Sequence, residues 1–492
     1  MNRNLLLLLP ILLPVLAGLV VFFAKPMKNR KTRNWFVGSF LILNGIITAC
    51  LLCGPALRLE LFDLMKGIPV LFKLDGIGRI YTSLLAIMWT LSGFFAFEYM
   101  KHEGNEHRYF GFFLVALGAL NAVAFAGNLV TFYFCYETMT LVTMPMVLHS
   151  LSKEAIKAGL KYLFYSLCGA SLGLLAIFYL NQYTTTIEFT GGGTLDLVKI
   201  VGHENLLLVI TFLSIIGFGA KAGMFPLHGW LPTAHPVAPA PASAVLSGVI
   251  VKAGVIGMIR VVYYIVGPDF LRGTWVQTAW MSLALLTVFM GSMLAYKEQI
   301  LKKRLAYSTV SQVSYILFGL SLLNTDGILG GIEHIVFHSF IKNALFLAAG
   351  AIIYKTGKTK VSELRGIGKE MPITMWCYTL CSLALIGIPP TCGFVSKWYL
   401  AVGSLQSGIG FFSWFGPIVL LVSALLTAGY LLPITINGFF PGADYDYASL
   451  KKFEPNKFMT IPLLVLAAGS VLLGMFPNAF ASFIQTIIAT IL

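Results

Sequence analysis

Apolar residues run along this chain in blocks of about 20, separated by short stretches that hold most of the Lys, Arg, Asp and Glu. A helix of that length crosses the hydrocarbon of a bilayer. The blocks fall near 4–24, 34–53, 79–98, 111–127, 129–149, 160–180, 206–226, 238–263, 275–296, 304–323, 330–353, 372–400, 412–437 and 458–490. The pattern predicts an all-α membrane protein of about fourteen transmembrane helices. The stretch from Met1 to Val21 has the charged start and Leu-rich core of a secretory leader. No small-residue cleavage site stands out before Lys25 and many blocks follow, so it reads as the first membrane helix.

The charges between blocks set an orientation. With the N-terminus outside, the odd-numbered loops hold 22 of the 34 Lys and Arg, against seven in the even-numbered loops. That asymmetry satisfies the positive-inside rule, and only an even helix count preserves it with both termini outside. Five basic residues, Lys221, Lys252, Arg260, Lys342 and Lys397, remain inside the blocks.

Composition agrees. Of 492 residues 58% are hydrophobic and 11% charged, where a soluble domain carries about 25% charged. The net charge of +14 is spread over many loops, which argues against a nucleic-acid surface. Cys50, Cys53, Cys135, Cys168, Cys377, Cys381 and Cys392 lie in or beside apolar stretches. Cys50 and Cys53 have CxxC spacing but no partner pair, so all seven read as small buried hydrophobes rather than redox, metal or iron–sulfur ligands.

Two blocks carry breaks. One is Gly217-Phe-Gly-Ala-Lys221-Ala-Gly223-Met-Phe-Pro226, the other Gly387-Ile-Pro389-Pro390-Thr-Cys-Gly393-Phe-Val-Ser-Lys397. Unwound backbone at membrane depth survives only where protein or water satisfies it, and paired broken helices point to a transport pathway.

A charge at mid-bilayer costs about 2.5–3.5 kcal/mol on insertion scales, so each needs a partner, water or neutralisation. Glu137 sits mid-block and is either half of a structural ion pair or a protonatable carboxylate acting on a lysine. Lys221, at the first break, is either its switchable partner or a residue snorkelling to the surface. Lys252 is too deep to snorkel easily. Arg260 stays charged at physiological pH and reads as an anchor. His334, His338 and Lys342 recur at i, i+4 and i+8 on one helical face; imidazoles there suit proton exchange, a structural polar seam, or zinc. The zinc reading lacks HExxH and a third ligand. Lys397 follows the second break, as a pathway group or an interfacial anchor. His228 and His235 lie in a proline-stiffened connection at the cytoplasmic surface and are candidate points of proton uptake, or plain loop residues.

These residues also carry a resemblance. Lys221-Ala-Gly-Met-Phe-Pro-Leu-His228-Gly-Trp-Leu-Pro-Thr-Ala-His235-Pro-Val-Ala-Pro, followed by Ser247-Gly-Val-Ile-Val-Lys252-Ala-Gly, resembles the signature of antiporter-like proton-translocating subunits. That family includes large membrane-arm subunits of respiratory complex I, Mrp-type Na⁺/H⁺ antiporter subunits, and membrane subunits of energy-converting hydrogenases. His334-xxx-His338-xxx-Lys342-Asn-Ala-Leu-Phe resembles a second motif of the family.

The resemblance implies two inverted five-helix repeats, blocks four to eight (111–263) and nine to thirteen (264–437), with blocks seven and twelve broken. Residues 1–110 would hold the first three helices, and 438–492 a cytoplasmic loop and the last helix. It implies a proton path through Glu137, Lys221, Lys252, His334, His338, Lys342 and Lys397, with Glu137 paired to Lys221. Lys397 stands where members carry either Lys or Glu. The chain ends soon after its last block, which would exclude the subunit type with a long lateral helix. No cofactor is expected in this chain; iron–sulfur, nickel–iron or flavin centres would belong to partner subunits. The expected partners are lipid, other membrane subunits, protons with or without Na⁺, and peripheral redox subunits, in a prokaryotic cell membrane. Redox chemistry is not expected in the chain, though its parent could be an oxidoreductase, a hydrogenase or an antiporter. Rival readings are a stand-alone cation or solute transporter, a bicarbonate-linked membrane subunit, and a structural scaffold.

Overall fold

Polar caps mark where the apolar blocks turn helical. A computed structural model describes residues 3–443, 445–447 and 450–492. A 3₁₀ segment, Arg3–Leu8, leads into α1 (Leu9–Phe23). Asn29 accepts from Lys31 and Thr32 backbone N–H groups and starts α2 (Arg30–Leu52). Strands β1 (Arg58–Met65) and β2 (Ile68–Lys73) form an antiparallel hairpin. The Asp75 carboxylate then caps α3 (Gly76–Glu103) through Gly78 N, satisfying a donor that the first turn leaves unpaired. Next come α4 (Glu106–Phe125), α5 (Leu129–Val147), α6 (Lys153–Leu180), α7 (Glu204–Ala222) and α8 (Leu231–Val237). Asn128 and Ser152 cap α5 and α6 in the same way. The chain continues through α9 (Ala240–Val266), α10 (Trp275–Lys297), α11 (Leu301–Ser321) and α12 (Thr325–Thr356). It closes with α13 (Pro372–Ile386), α14 (Cys392–Leu405), α15 (Phe411–Phe439), α16 (Lys457–Met475) and α17 (Asn478–Ile491).

Among the described residues, eleven helices are long and apolar enough to cross a membrane, so the chain is a membrane-embedded helical protein. Their burial sorts them. The most apolar stretch of α9 is 100% buried within the protein and that of α12 is 94% buried, against 33–39% for α2, α6, α15 and α16. A helix apolar all round and buried all round is central; one apolar outward faces lipid. α12 touches α3, α9, α11, α13, α14, α16 and α17. These two central helices carry Lys252, His334, His338 and Lys342.

The predicted blocks differ from the structure in four places. The block 458–490 is two helices, parted at Phe476-Pro477: at 33 residues it exceeds one crossing, and proline ends helices readily. The segment after 226 is not a surface connection, because α8 is helical and its His235 is 0% exposed. The hairpin was unforeseen. Cys50 and Cys168 are exposed on helix faces and Cys53 is exposed at the end of α2; Cys135 is half-buried, and Cys377, Cys381 and Cys392 are buried as expected. The predicted loop after 437 includes Asp444, Ala448 and Ser449, which lie outside the described residues.

Candidate functional site

Both predicted breaks are present. Each first segment ends at a glycine in the left-handed region, Gly223 at φ 80° and Gly387 at φ 97°, a conformation that costs a residue with a side chain. A cis X-Pro bond lies in each break, Phe225–Pro226 and Pro389–Pro390. The two lysines sit differently against them. Lys221 lies in the last turn of α7, before the break. Lys397 lies in α14, after it, and its Nζ donates back to Leu385 O (2.5 Å) and Ile386 O (2.9 Å). Those carbonyls end α13 and have no onward helical donor, so a cation there is well placed.

Lys221 is 0% exposed. Its Nζ donates to Tyr162 Oη (2.6 Å), Thr140 Oγ1 (3.0 Å) and Ser166 Oγ (3.2 Å). Three hydroxyls thus use all three ammonium protons. The expected ion pair with Glu137 is not formed: Glu137 is half-buried and its Oε1 has no partner. The two groups remain close enough to interact electrostatically. Hydroxyls replaced the carboxylate because Tyr162 and Ser166, one turn apart on α6, converge on the ammonium. Nothing in the sequence distinguished these hydroxyls from other helical Tyr and Ser.

The second cluster spans the two central helices. A π-helical stretch, Leu246–Ile250, ends two residues before Lys252, and such widened turns recur at functional sites. Lys252 Nζ donates to Ser247 O (2.7 Å) and lies 2.7 Å from His338 Nδ1. With the lysine charged, Nδ1 accepts and the ring proton sits on Nε2, which has no partner. The His338 and His334 rings are 5.9 Å apart. His334 Nε2 is 3.1 Å from Gln312 Oε1, and Nδ1 is 2.9 Å from Ser396 Oγ. An amide oxygen only accepts, so Nε2 donates and Nδ1 takes the Ser396 proton. Tyr315 stacks on His334 with ring centres 5.6 Å apart, the Lys397 ammonium lies 5.0 Å from its ring centre, and its hydroxyl donates to Leu420 O (2.9 Å). Lys252, His338, His334, Tyr315 and Lys397 therefore touch in sequence.

Lys342 lies on the far side of His338 from His334. It donates to Leu305 O (3.0 Å) and to Ser308 Oγ, and interacts electrostatically with Lys252, His338 and His235. His235 stacks on Phe346 at 4.6 Å, with both ring nitrogens unpartnered. Beside it a cavity of about 150 Å³ is lined by Tyr99, Glu103, Pro236, Ala238 and Lys302. His228 is half-buried and stacks on Phe225 at 6.0 Å. It is not brought to this cluster.

The single predicted line is thus two clusters. Gly254, two residues beyond Lys252, packs against Phe218 O, Ala222 N and the Lys221 Cβ, yet among the described residues no shared hydrogen-bond partner joins the two lysines. Arg260, read as an anchor, is a buried ion pair with Asp75, with its guanidinium over the Phe189 and Tyr264 rings. The sequence reading overlooked Tyr162, Ser166, Gln312, Ser396 and Lys302, and it gave Glu333 no role. Among the described residues, no three His, Cys, Asp or Glu side chains gather to hold a metal.

The fold and site define a polytopic helical protein with buried cationic and imidazole groups on its central helices. Residues 126–427 match the family described as NADH:quinone oxidoreductase/Mrp antiporter, transmembrane. The chain is 31% identical over 429 residues to NADH-quinone oxidoreductase subunit N of Desulforudis audaxviator, covering 83% of each. It is 27% identical over 476 residues to an Na⁺/H⁺ antiporter subunit of Alkalihalophilus pseudofirmus, covering 96% of this chain and 94% of that one. Its fold matches a chain of the Mrp complex from Dietzia sp. with a TM-score of 0.84 and 22% identity, covering 100% of this chain and 98% of the other. The chain belongs to the NADH:quinone oxidoreductase/Mrp antiporter family.

Proposed function

We propose that this chain is a proton-translocating membrane subunit of a larger energy-converting complex. The observation that carries the reading is the run of contacts from Lys252 through His338, His334 and Tyr315 to Lys397. The lysines and histidines of this run accept and release protons, Tyr315 holds its ring between His334 and Lys397, and most of the partners are neutral hydroxyls, carbonyls and rings. A second positive charge arriving beside one of them repels its proton onward. Relatives named as a quinone oxidoreductase subunit and as an Na⁺/H⁺ antiporter subunit support the same reading.

Uptake is from the cytoplasmic side, through the cavity at Glu103 and Lys302, past His235 to Lys342. Protons then load Lys252 and His338, pass His334, and leave past Lys397 at the opposite end. Glu137 and Lys221 form the coupling element, through which charge in a neighbouring subunit acts on the central line. Moving one charge against 100 mV costs about 2.3 kcal/mol. The coupling step must therefore change a site's proton affinity by roughly fiftyfold. That energy comes from partner subunits, which would also hold any iron–sulfur, nickel–iron or flavin centre. The loop charges support both termini outside and fourteen crossings, and the bacterial relatives support a prokaryotic cell membrane. The paired breaks support inverted repeats over 111–263 and 264–437. Na⁺/H⁺ exchange is the close variant, and the parent complex is an antiporter, a hydrogenase or a quinone oxidoreductase.

The test is Lys252→Ala in the assembled complex, reconstituted into vesicles, with proton movement read by a fluorescent pH dye. Loss of transport with normal assembly supports the path. Wild-type transport overturns it.

A further inference from the structure

Glu333 precedes His334 in sequence but points elsewhere. Helical spacing puts Gly330, Glu333, Phe337 and Phe340 on one face of α12, turned about 100° from His334 and about 180° from Lys342. The neighbours of the other three locate that face. Gly330 meets Tyr399, Leu400 and the Ser396 backbone of α14, Phe337 lies 6.0 Å from the Phe480 ring of α17, and Phe340 reaches Gly469 of α16. Glu333 therefore stands in the seam of α12 with α14, α16 and α17. Its side chain is 0% exposed, and neither carboxylate oxygen has a hydrogen-bond partner. An unpaired ionised carboxylate is costly at such a site, and a bound proton removes the cost.

Two neighbours give this carboxyl a route. Ser396 offers its hydroxyl to His334 Nδ1 at 2.9 Å while its backbone faces Gly330, so it stands between the imidazole and the Glu333 face. Tyr399, half-exposed, interacts electrostatically with both Glu333 and Asp326. Asp326 is in the first turn of α12, at the end of the bundle that also holds the hairpin. Tyr399 thus links the buried seam to the aqueous surface.

We propose that Glu333 is a proton-accepting site on the release side, a branch that leaves the central line at His334. When His334 gains a second proton, its Nδ1–H passes to Ser396 Oγ. Glu333, protonated at rest, releases its proton past Tyr399 to the surface, and the Ser396 hydroxyl gives its own proton across the seam to the carboxylate so formed, which restores the acid. The proposal rests on the proton-translocation reading above.

The assembled complex in vesicles is treated with dicyclohexylcarbodiimide, an apolar reagent that adds to protonated carboxyls in membranes. The expected results are modification of the Glu333 peptide by mass spectrometry, and transport about a hundredfold slower in Glu333→Gln, with partial rescue by Glu333→Asp. An unmodified Glu333 in the wild-type chain, or wild-type transport in Glu333→Gln, overturns the proposal. Labelling is read on the wild-type chain, so a variant that fails to assemble does not leave the question open. Lys252→Ala separates the two claims. Normal transport there overturns the translocation reading, whereas a dead Lys252→Ala beside a fully active Glu333→Gln overturns only the branch.

Discussion

Lys252 on one buried central helix and His338 on the other meet at 2.7 Å, ammonium to imidazole, with no carboxylate between them. Two groups that both carry charge as acids share one hydrogen bond, so a proton on His338 Nδ1 and a charged Lys252 exclude each other. If they act as one site, their substitutions are not additive. Lys252→Ala and His338→Ala are each expected to slow proton transport by about a hundredfold, and the double variant no further. The comparison is made on complexes matched for assembly by subunit stoichiometry. Fully multiplicative losses would show two independent sites.

Glu137 and Lys221 are read as coupled through space rather than paired, because Thr140, Tyr162 and Ser166 already use the three ammonium protons. A broken buried ion pair destabilises by about 3–5 kcal/mol. Glu137→Gln breaks no such pair, so it is expected to assemble at wild-type levels and melt at the wild-type temperature while losing coupled transport. A markedly lowered melting temperature would mean that an ion pair forms in the assembled complex.

This contrast shows how far the sequence could be read. Charges in apolar blocks and the Gly–Pro breaks locate the helices and single out Lys221, Lys252, His338 and Lys397, since each violates the cost of the bilayer. Contact between Lys252 and His338 depends on how two helices rotate about their axes, which no local pattern in a uniformly apolar helix records. The Tyr162 and Ser166 hydroxyls looked ordinary for the same reason. Glu333 stands directly before the His334 motif in sequence, but its direction is visible only through the neighbours of Gly330, Phe337 and Phe340. The hairpin leaves no such mark, because its strands are only 8 and 6 residues long and carry polar residues among the apolar ones.

At the hairpin end, Glu188 accepts from Lys73 Nζ (2.9 Å) and Arg58 Nε (3.0 Å). Partial burial alone would raise this carboxyl, but the hydrogen bonds and charges of Lys73 and Arg58 outweigh it and hold it below the ordinary carboxylate value. A carboxyl lowered on folding contributes stability above its unfolded value, and that contribution is lost as pH falls through the folded one. Acidification below the ordinary carboxylate range is thus expected to loosen the contact of the hairpin with the 181–203 segment. Limited proteolysis in that segment should rise on acidification in the wild type. In Glu188→Gln it should be high already at neutral pH and nearly flat with pH.

Lys397 has two duties that substitutions can separate. It closes the carbonyl end of α13 through Leu385 and Ile386, and it stands over the Tyr315 ring that stacks on His334. Lys397→Met removes the charge and leaves those carbonyls without their donor, where a hydrogen bond to a charged group is worth about 1.5–3 kcal/mol. Amide exchange at Gly387 and Ile388, which bond back to Leu383 O, is then expected to speed up by about tenfold or more, together with loss of transport. Lys397→Arg keeps the cap but never gives up its proton. It is expected to restore slow exchange and leave transport dead. Restored transport in Lys397→Arg would assign Lys397 to holding the break alone and remove it from the proton line.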